Sequence, residues 1–426
     1  MQSFVIEGGR PLSGTVRAAG NKNGALPILA ATILASEPVR LENVPRIRDV
    51  ETMVDLLSGL GADARWTAPN EVTVDASGVG STELDAELAR EIRASFLLAG
   101  PLLARFGEVR IPPPGGDVIG RRRLDTHIHA FAELGVDVEL NGAYEMRTSG
   151  LRGTRLYLDE ASVMATENAI MAAVLAEGTT VVGHAACEPH IQDLCRFLVG
   201  LGARIEGIGS NVLRIEGVER LGGGSYRVGP DHIEVASFAG LAAITGGDVV
   251  IEDVRPDDLI SIVPAFRKLG IRLEIGETSV RVPADQDLHV EDDLGGQIPK
   301  IESGIWPAFP ADLTSIAVTV ATQARGTILV FEKMFESRLF FVDKLVSMGA
   351  RIILCDPHRV VVTGPARLYG QRLESPDIRA GMAMVLAALC AKGRSSIGNI
   401  RQIDRGYERI DERLRALGAV IERVED

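Results

Sequence analysis

The chain has 426 residues, of which 46% are apolar and only 4% aromatic, and its formal net charge is −13 at pH 7. This length exceeds what one hydrophobic core usually supports, so it predicts two domains with aliphatic, alanine-rich interiors. The acidic balance argues against a general nucleic-acid or anionic-membrane surface, and any anionic ligand therefore needs a local cluster of cations.

The first predicted elements are strands at Ser3–Ile6 and Thr15–Val16, which precede any helix. Two patterns then alternate along the chain. One is an alanine-rich helix, a break and a β-branched strand, at 29–41, 97–111, 170–182, 238–251, 316–330 and 382–397. The other is a helix that ends at an apolar residue and a glycine before a strand-like tail, with the glycines at Gly61, Gly135, Gly202, Gly270, Gly349 and Gly418. A glycine there can adopt the left-handed conformation that ends a helix.

These glycines lie 74, 67, 68, 79 and 69 residues apart. The spacing predicts six copies of one α/β unit of about 70 residues, three in each domain. A linear solenoid is the alternative interpretation. The strands before the first helix and the abrupt end after 420–423 favour a closed set, in which the N-terminus completes the sixth unit.

The four cysteines, Cys187, Cys195, Cys355 and Cys390, show no paired spacing, which is typical of a reducing compartment. A metal site at Cys187, His190 and Cys195 is disfavoured because a fourth ligand is missing. The apolar run Leu26–Ala35 is too short to span a bilayer and is interpreted as the first repeat helix. We therefore expect a cytoplasmic protein.

Polar residues precede the alanine-rich helix in most of the units, at 21–23, 91–95, 162–167, 231–234, 311–314 and 377–379. Helix capping alone would require only Ser, Thr, Asp or Asn. It does not explain Lys22, Arg93 and Arg379, because cations at a helix N-terminus are unfavourable unless an anion lies there too. The pattern therefore favours an anion-binding pocket in a cleft between the two domains.

The densest cluster is the segment 112–125, with three prolines, three glycines and three consecutive arginines, 121–123. This composition suits a mobile loop that carries guanidinium groups to a phosphate or carboxylate. A solvated charged loop is the alternative. Asp117, placed among the glycines, is the unusual member. The sequence has no standard nucleotide loop and no metal-binding histidine motif.

Five segments carry a resemblance to the enolpyruvyl (carboxyvinyl) transferase family over essentially the whole chain: 20–27, 115–120, 165–168, 309–312 and 403–410. The resemblance implies an α/β fold of two inside-out α/β barrels. It implies that residues 22–231 form one domain, which carries the catalytic loop 112–125, and that residues 1–21 with 232–426 form the other. The active site then lies in the cleft between the domains.

The reaction implied by the resemblance is transfer of the enolpyruvyl group of phosphoenolpyruvate to the 3-hydroxyl of UDP-N-acetylglucosamine, with release of phosphate, in peptidoglycan precursor synthesis. It implies no cofactor, no metal, and no nucleic-acid or membrane partner, and it leaves the oligomeric state open. Two alternatives remain: an enolpyruvyl transferase with another nucleotide or sugar-phosphate acceptor, and a non-catalytic protein that binds a nucleotide sugar.

The resemblance also assigns roles to residues. Asp312 is the candidate base, with Asn23 orienting the hydroxyl, and Asp117 is the candidate acid, with Lys22 nearby. The positions assigned to phosphoenolpyruvate are Lys22, Arg122, Arg338, Asp377, Arg379 and Arg405. The positions assigned to the acceptor are Asn23, Arg93, Arg122, Arg123, Leu124, Asp125, Ser162, Val163, Met164, Asp312 and Phe335.

The chain departs from the family pattern at a few positions. Asp117 stands where many members have a cysteine. Arg123, Glu160, Met164 and Ala311 are also unusual, and all four map to the acceptor side. They predict either a different acceptor or a compensation in which Arg123 balances the charge of Glu160.

Overall fold

The structure is a computed structural model that describes residues 2–117 and 119–425. The chain divides into two compact units. The terminal unit comprises Met1–Ala19, Val118–Arg121 and Pro230–Asp426, and the central unit comprises Gly20–Asp117 and Arg122–Gly229. The functional domains expected at 22–231 and at 1–21 with 232–426 stay a prediction.

Thirteen α-helices lie in the described residues. They are α1 (Lys22–Ala31), α2 (Arg48–Gly59), α3 (Ala86–Glu91), α4 (Ala99–Phe106), α5 (Asp125–Glu133), α6 (Val163–Ala173), α7 (Pro189–Gly200), α8 (His232–Thr245), α9 (Ile262–Lys268), α10 (Thr314–Ala321), α11 (Val342–Ser347), α12 (Ile378–Cys390) and α13 (Ile410–Ala416). Short 3₁₀ helices occur at Thr32–Leu34, Ala76–Gly78, Arg93–Leu98, Pro256–Leu259, Ala311–Leu313 and Ile403–Arg405.

The strands of the central unit are β3 (Val39–Glu42), β4 (Asp63–Ala68), β5 (Glu71–Asp75), β6 (Glu108–Ile111), β7 (Asp137–Leu140), β8 (Tyr144–Arg147), β9 (Arg155–Tyr157), β10 (Thr179–Gly183), β11 (Arg204–Glu206), β12 (Val212–Glu216) and β13 (Gly224–Arg227). Those of the terminal unit are β1 (Gln2–Glu7), β2 (Gly14–Arg17), β14 (Val249–Glu252), β15 (Glu274–Ile275), β16 (Ser279–Val282), β17 (Lys300–Glu302), β18 (Gly326–Phe331), β19 (Arg351–Asp356), β20 (Arg359–Gly364), β21 (Arg372–Glu374), β22 (Arg394–Gly398) and β23 (Val420–Glu425).

The strands form six sheets with one shared plan. In five of them an outer strand pairs in parallel with the second strand, and the third and fourth continue antiparallel. The orders are β13-β3-β5-β4, β9-β10-β12-β11, β2-β14-β16-β15, β17-β18-β20-β19 and β21-β22-β1-β23. In the sixth sheet, β6-β8-β7, the outer strand is reduced to a parallel bridge between Glu83 and Arg110. The predicted sixfold α/β repeat is thus confirmed.

The N-terminus completes the sixth repeat, as the sequence predicts. Strand β1 lies between the last two strands of the chain, with Phe4 opposite Ile397 on β22 and opposite Arg423 on β23. The first sheet of each unit also takes its outer strand from a distant part of the chain. Strand β2 pairs with β14 in the terminal unit, and β13 pairs with β3 in the central unit. Each of these three sheets is therefore completed by a strand that is distant in sequence from most of the sheet.

Five of the alanine-rich helices, α1, α6, α8, α10 and α12, are almost entirely buried, and the sixth, α4, is buried over residues 99–103. All of α10 is buried, and only Cys390 of α12 is partly exposed. A helix that is apolar on every side needs neighbours on every side, and each unit accordingly has its own large aliphatic core. Among the described residues, no helix has both the length and the apolar character needed to cross a membrane.

The six predicted helix-ending glycines all have positive φ, between +79° at Gly270 and +109° at Gly202. One of the strand-like tails differs from the prediction. After Gly270 the strand begins only at Glu274. The reason is that the Gln286 side chain accepts from Arg272 N at 2.8 Å and donates to Arg272 O at 3.1 Å, so a side chain takes the place of a strand partner.

Candidate functional site

The predicted polar clusters lie at helix N-termini, where capping residues and cations are different members of the same clusters. Asn21 Oδ1 accepts from Asn23 N at 2.9 Å and caps α1, while Asp377 Oδ1 accepts from Arg379 N at 2.8 Å and caps α12. Ser162 and Asp231 cap α6 and α8 in the same way. Capping thus accounts for the short polar residues and leaves the cations to another role.

In the central unit, Lys22 at the start of α1 forms a buried ion pair. Its Nζ lies 2.8 Å from Asp49 Oδ2, and the two side chains are only 10% and 6% exposed. Asp49 lies in the first turn of α2. Sequence reasoning missed Asp49, because no spacing pattern connects it with Lys22. A buried pair of this kind holds both side chains in place, since removal of either partner leaves an uncompensated charge.

A second cationic cluster of the central unit contains Arg93 and Arg122. Arg93 Nη2 donates to the carbonyl oxygens of Arg122 at 2.8 Å and Arg123 at 3.2 Å. Burial and the nearby charge of Arg122 lower the pKa of Arg93 to about 10. Among the described residues Arg93 has no ion-pair partner. Two neighbouring guanidinium groups of this kind attract an anion.

Gly116 explains why the loop can lie against this cluster. Its φ is +105°, and a Cβ built there would lie 2.8 Å from Arg93 Cβ and 3.4 Å from Arg122 Nη1. A side chain at this position would push the loop away from the arginines. Asp117 follows directly and is half-buried. Val118 lies outside the described residues, and the motion expected of this loop stays a prediction.

Further along the same loop, Ile119 and Arg121 form hydrogen bonds with residues of the terminal unit. Arg121 N donates to Glu336 Oε2 at 3.3 Å, and Ser337 N donates to Ile119 O at 3.2 Å. The contacts of Ile119 and Arg121 group them with the terminal unit, whereas the resemblance implies that the whole loop 112–125 belongs to the other domain.

On the expected acceptor side, Arg123 pairs directly with Asp125 at 2.7 Å and Asp159 at 3.3 Å. Its hydrogen bond to Asp125 is the main cause of its raised pKa, and Glu160 contributes only at longer range. Compensation of Glu160 is therefore a minor part of what Arg123 does. Met164 lies in the first turn of α6, where a methionine keeps the backbone N–H that a glycine would supply.

In the terminal unit, two buried arginines share one carboxylate. Asp312 Oδ1 accepts from Arg338 Nη2 at 3.0 Å, and Asp312 Oδ2 accepts from Arg379 Nε at 3.1 Å and Nη2 at 3.0 Å. Arg338 and Arg379 are 5% and 4% exposed. Burial opposes the charge of Arg379, but Asp312, Tyr407 and Asp231 outweigh burial and raise its pKa.

Both arginines keep an unused donor. Within residues 2–117 and 119–425, Arg338 Nε and Arg379 Nη1 are buried and have no hydrogen-bond partner. A buried donor left unpaired costs free energy, about 1–3 kcal/mol and more for a charged group. Two guanidinium groups against a single carboxylate, each with an N–H group to spare, are arranged to bind a further anion.

Neighbouring residues orient this cluster. The Phe335 ring centroid lies 5.0 Å from Arg338 Cζ. Glu332, which is fully buried, accepts from Phe335 N at 3.2 Å and from Thr314 Oγ1 at 2.6 Å. Sequence reasoning missed Glu332, because an isolated glutamate at a strand end has no distinguishing pattern. Arg405 is half-buried in the 3₁₀ helix Ile403–Arg405 and donates to Gln402 Oε1 at 2.9 Å.

The structure therefore arranges the predicted residues in three clusters, two in the central unit and one in the terminal unit. Lys22 lies with Asp49, Arg93 with Arg122, and Asp312 with Arg338 and Arg379. The four cysteines are free thiols. Among the described residues, no group of three or more His, Cys, Asp or Glu side chains is placed to hold a metal ion.

Comparison with known sequences gives full-length matches. The profile of the EPSP synthase (3-phosphoshikimate 1-carboxyvinyltransferase) family matches residues 6–414. The UDP-N-acetylglucosamine 1-carboxyvinyltransferase of Bradyrhizobium diazoefficiens is 57% identical over 421 residues, which cover 99% of this chain and 98% of the relative. The protein of the same name from Treponema denticola is 54% identical over 422 residues, with 99% of both chains covered.

Two solved structures have the same fold. The enolpyruvyl transferase NikO from Streptomyces tendae matches with a TM-score of 0.89 and 26% identity, over 99% of this chain and 98% of its own. EPSP synthase from Acinetobacter baumannii matches with a TM-score of 0.77 over the whole of both chains. Its identity is 18%, so this likeness concerns the fold alone.

Proposed function

We propose that this chain, which belongs to the EPSP synthase family of enolpyruvyl transferases, transfers the enolpyruvyl group of phosphoenolpyruvate to the 3-hydroxyl of UDP-N-acetylglucosamine and releases phosphate. The family and the close full-length relatives support the reaction class and the acceptor. Such a reaction supplies a precursor of peptidoglycan, and a cytoplasmic location is part of the proposal.

The observation that carries the proposal is the arginine pair around Asp312. Phosphoenolpyruvate has a carboxylate and a phosphate, and planar guanidinium groups match both in geometry and charge. In the part of the chain that the structure describes, Arg338 and Arg379 each offer one buried N–H group without a hydrogen-bond partner. Electrostatic stabilisation by preorganised charge usually contributes more to the rate enhancement of an enzyme than any other single effect.

The same pair suggests how Asp312 works. An anion that binds to Arg338 and Arg379 competes with Asp312 for the guanidinium groups, and the carboxylate becomes available to accept the proton of the acceptor hydroxyl. Asn23 orients that hydroxyl. Asp117, with Lys22, supplies a proton to the methylene carbon of phosphoenolpyruvate while the acceptor oxygen bonds to C2. The new methyl group then returns a proton to the Asp117 carboxylate, phosphate leaves from C2, and the double bond is restored. Arg122, Asp377 and Arg405 complete the phosphoenolpyruvate side.

One observation favours a second candidate, an enolpyruvyl transferase with a different acceptor. Arg123 is paired with Asp125 and Asp159, and Glu160 lies close enough to affect its pKa. Three carboxylates around one arginine leave this side acidic, which is unfavourable for a diphosphate. Leu124, Ser162, Val163, Met164 and Phe335 are the further positions at which an acceptor would be selected.

The test is phosphate release from phosphoenolpyruvate, measured with a panel of nucleotide sugars and sugar phosphates. Release that depends on UDP-N-acetylglucosamine supports the proposal. Release only with another acceptor would favour the second candidate, and no release with any acceptor, together with tight binding of a nucleotide sugar, would indicate a non-catalytic protein. Asp312→Asn serves as the inactive control.

A further inference from the structure

The turn 403–407 is packed against the first turn of α12 more closely than side chains would allow. A Cβ at Gly406 would lie 2.3 Å from Ile378 Cγ2, and a Cβ at Gly381 would lie 2.6 Å from Ile403 Cγ1. Such distances are sterically excluded, so both positions require glycine. The close approach brings Tyr407 next to Arg379, whose Cζ lies 5.5 Å from the centroid of the tyrosine ring.

Tyr407 is buried, with 1% of its surface exposed, and its hydroxyl lies 3.0 Å from Ser237 Oγ. The direction of this hydrogen bond can be assigned. Ser237 has a single hydroxyl proton, which it donates to Ile233 O at 2.8 Å. Tyr407 must therefore donate to Ser237, and the lone pairs of its oxygen remain as acceptors. The hydroxyl is thereby oriented from the second turn of α8.

The oriented hydroxyl of Tyr407 is suited to interact with the guanidinium group of Arg379. Arg379 Cζ lies 5.5 Å from the centre of the tyrosine ring, and the charge of Arg379 accordingly opposes the rise in the pKa of Tyr407 that burial causes. The other side of the Arg379 guanidinium is held by Asp312. Arg379 is thus held between a carboxylate and a phenol, while its Nη1 has no hydrogen-bond partner in the described residues.

We propose that Tyr407 is a positioning residue, which holds Arg379 so that its remaining N–H group is preorganised for an anion, and that Ser237 in turn orients Tyr407. The inference rests on the proposed function, because it takes the anion to be phosphoenolpyruvate. Tyr407 acts through Arg379 by reducing the orientational freedom that the guanidinium would lose on binding.

The test is Tyr407→Phe, which keeps the ring and its packing and removes only the hydroxyl. We expect the KM for phosphoenolpyruvate to rise about tenfold, which corresponds to one hydrogen bond near a charged group. The KM for the acceptor should stay unchanged. Ser237→Ala, which removes the acceptor of the tyrosine proton, should change the same parameter in the same direction and by less.

Tyr226→Phe is the matched control. Its hydroxyl also bonds to a buried side chain, Asp193 Oδ1 at 2.9 Å, but in the central unit. It should leave the KM for phosphoenolpyruvate unchanged. If Tyr407→Phe behaves like Tyr226→Phe, or if both KM values rise together, the positioning role is wrong.

Calorimetric titration with phosphoenolpyruvate separates this inference from the proposed function. Turnover in the wild type without any effect of Tyr407→Phe would refute the inference and leave the function intact. An inactive wild type that binds phosphoenolpyruvate, and binds it more weakly after Tyr407→Phe, would support the inference and refute the function. A wild type that neither turns over nor binds phosphoenolpyruvate would overturn both.

Discussion

The two arginine clusters hold their neighbouring guanidinium groups in place in different ways. In the terminal unit, Arg338 and Arg379 are fully buried and share the carboxylate of Asp312, and the pKa of Arg379 is raised. In the central unit, Arg93 is half-buried beside Arg122 and bonds to carbonyl oxygens, and its pKa is lowered to about 10. A carboxylate holds the guanidinium groups of the terminal cluster, whereas loop carbonyl oxygens hold Arg93 in the central cluster.

The difference indicates different roles for the two clusters. An arginine held by a carboxylate is oriented before any ligand arrives, so the terminal cluster supplies geometry. An arginine held by loop carbonyls is oriented only as well as the loop is, so the order of the central cluster depends on the order of the loop 112–125. Changes that remove or add a charge in one cluster test this contrast.

The largest effect is expected from Asp312→Asn, which removes the carboxylate that Arg338 and Arg379 share and also the candidate base. Turnover should fall at least about a hundredfold, because a base and the order of two cations are lost together. Lys22→Ala should cause a loss of similar size. Circular dichroism should be unchanged in both variants.

The control for this prediction is Asp356→Asn, which removes the charge of a half-buried aspartate paired with Arg359 in the same unit. It should keep wild-type turnover. Near-normal turnover in Asp312→Asn would show that the shared carboxylate is neither the base nor the organiser of the arginines.

A smaller loss is expected from Arg93→Met, which removes the guanidinium that holds the carbonyls of Arg122 and Arg123. We expect kcat/KM for phosphoenolpyruvate to fall about tenfold to a hundredfold, since charge and loop order both decrease. Arg90→Met is the matched control, because Arg90 is exposed and lies three residues away. Equal effects of the two substitutions would contradict a specific role for Arg93.

Asp117→Cys probes the charge of the central cluster more directly. A thiol beside two guanidinium groups should ionise readily and attack an epoxide such as fosfomycin. The variant should keep activity and lose it with time in the presence of the drug, whereas the unmodified protein should resist, because a carboxylate is a weaker nucleophile. Mass spectrometry of both proteins checks this. A drug adduct on the wild type would show that Asp117 does not have the expected environment.

The repeats could be predicted from the sequence because they depend on local rules. Gly202 and Gly418 end helices with positive φ, and that requirement is readable from an apolar residue, a glycine and an alternating tail. The caps at Asn21 and Asp377 are equally local. For these features the short-range pattern and the final structure agree.

The partners of the cations could not be predicted in this way. The pairs of Lys22 with Asp49 and of Arg379 with Asp312 join distant residues, and nothing in the composition around Asp49 marks it as a partner. The delayed start of β15 depends on a single side chain, Gln286. Contacts of this kind follow from packing, which one sequence does not display.

An effect on stability and not on turnover is expected from His127, whose pKa is affected by the charge of Arg93. Burial and the charge of Arg93 lower the pKa of His127 to about 3, from 6.5. Asn168 Nδ2 lies 3.0 Å from His127 Nδ1, and because Asn168 Oδ1 accepts from Gly100 N, the histidine nitrogen is the acceptor. The unfolded chain binds this proton below pH 6.5 and the folded chain does not, so stability is lost as the pH falls from 6.5 towards 3.

The loss should reach about 5 kcal/mol at most, at 1.36 kcal/mol per pKa unit. Urea midpoints between pH 7 and pH 4 measure it. In His127→Gln the fall with decreasing pH should be shallower, whatever its stability at pH 7. Parallel curves for the two proteins would mean that His127 does not titrate as its surroundings indicate.

The smallest effect is expected from Glu167, where stability depends on pH in the direction opposite to that at His127. Glu167 is 2% exposed, burial and then the charge of Glu188 raise its pKa well above 4.5, and its Oε1 has no hydrogen-bond partner in the described residues. The folded chain keeps this proton while the unfolded chain releases it, so stability is lost as the pH rises above 4.5.

Glu167→Gln, which cannot ionise, should therefore stabilise the protein near neutral pH, with an increase in Tm of about 2–4 °C for each kcal/mol of added stability. Glu177→Gln, at an exposed position of the same unit, should leave Tm unchanged. A lower Tm in Glu167→Gln than in Glu177→Gln at pH 7.5 would show that the Glu167 carboxyl is stabilised by its surroundings.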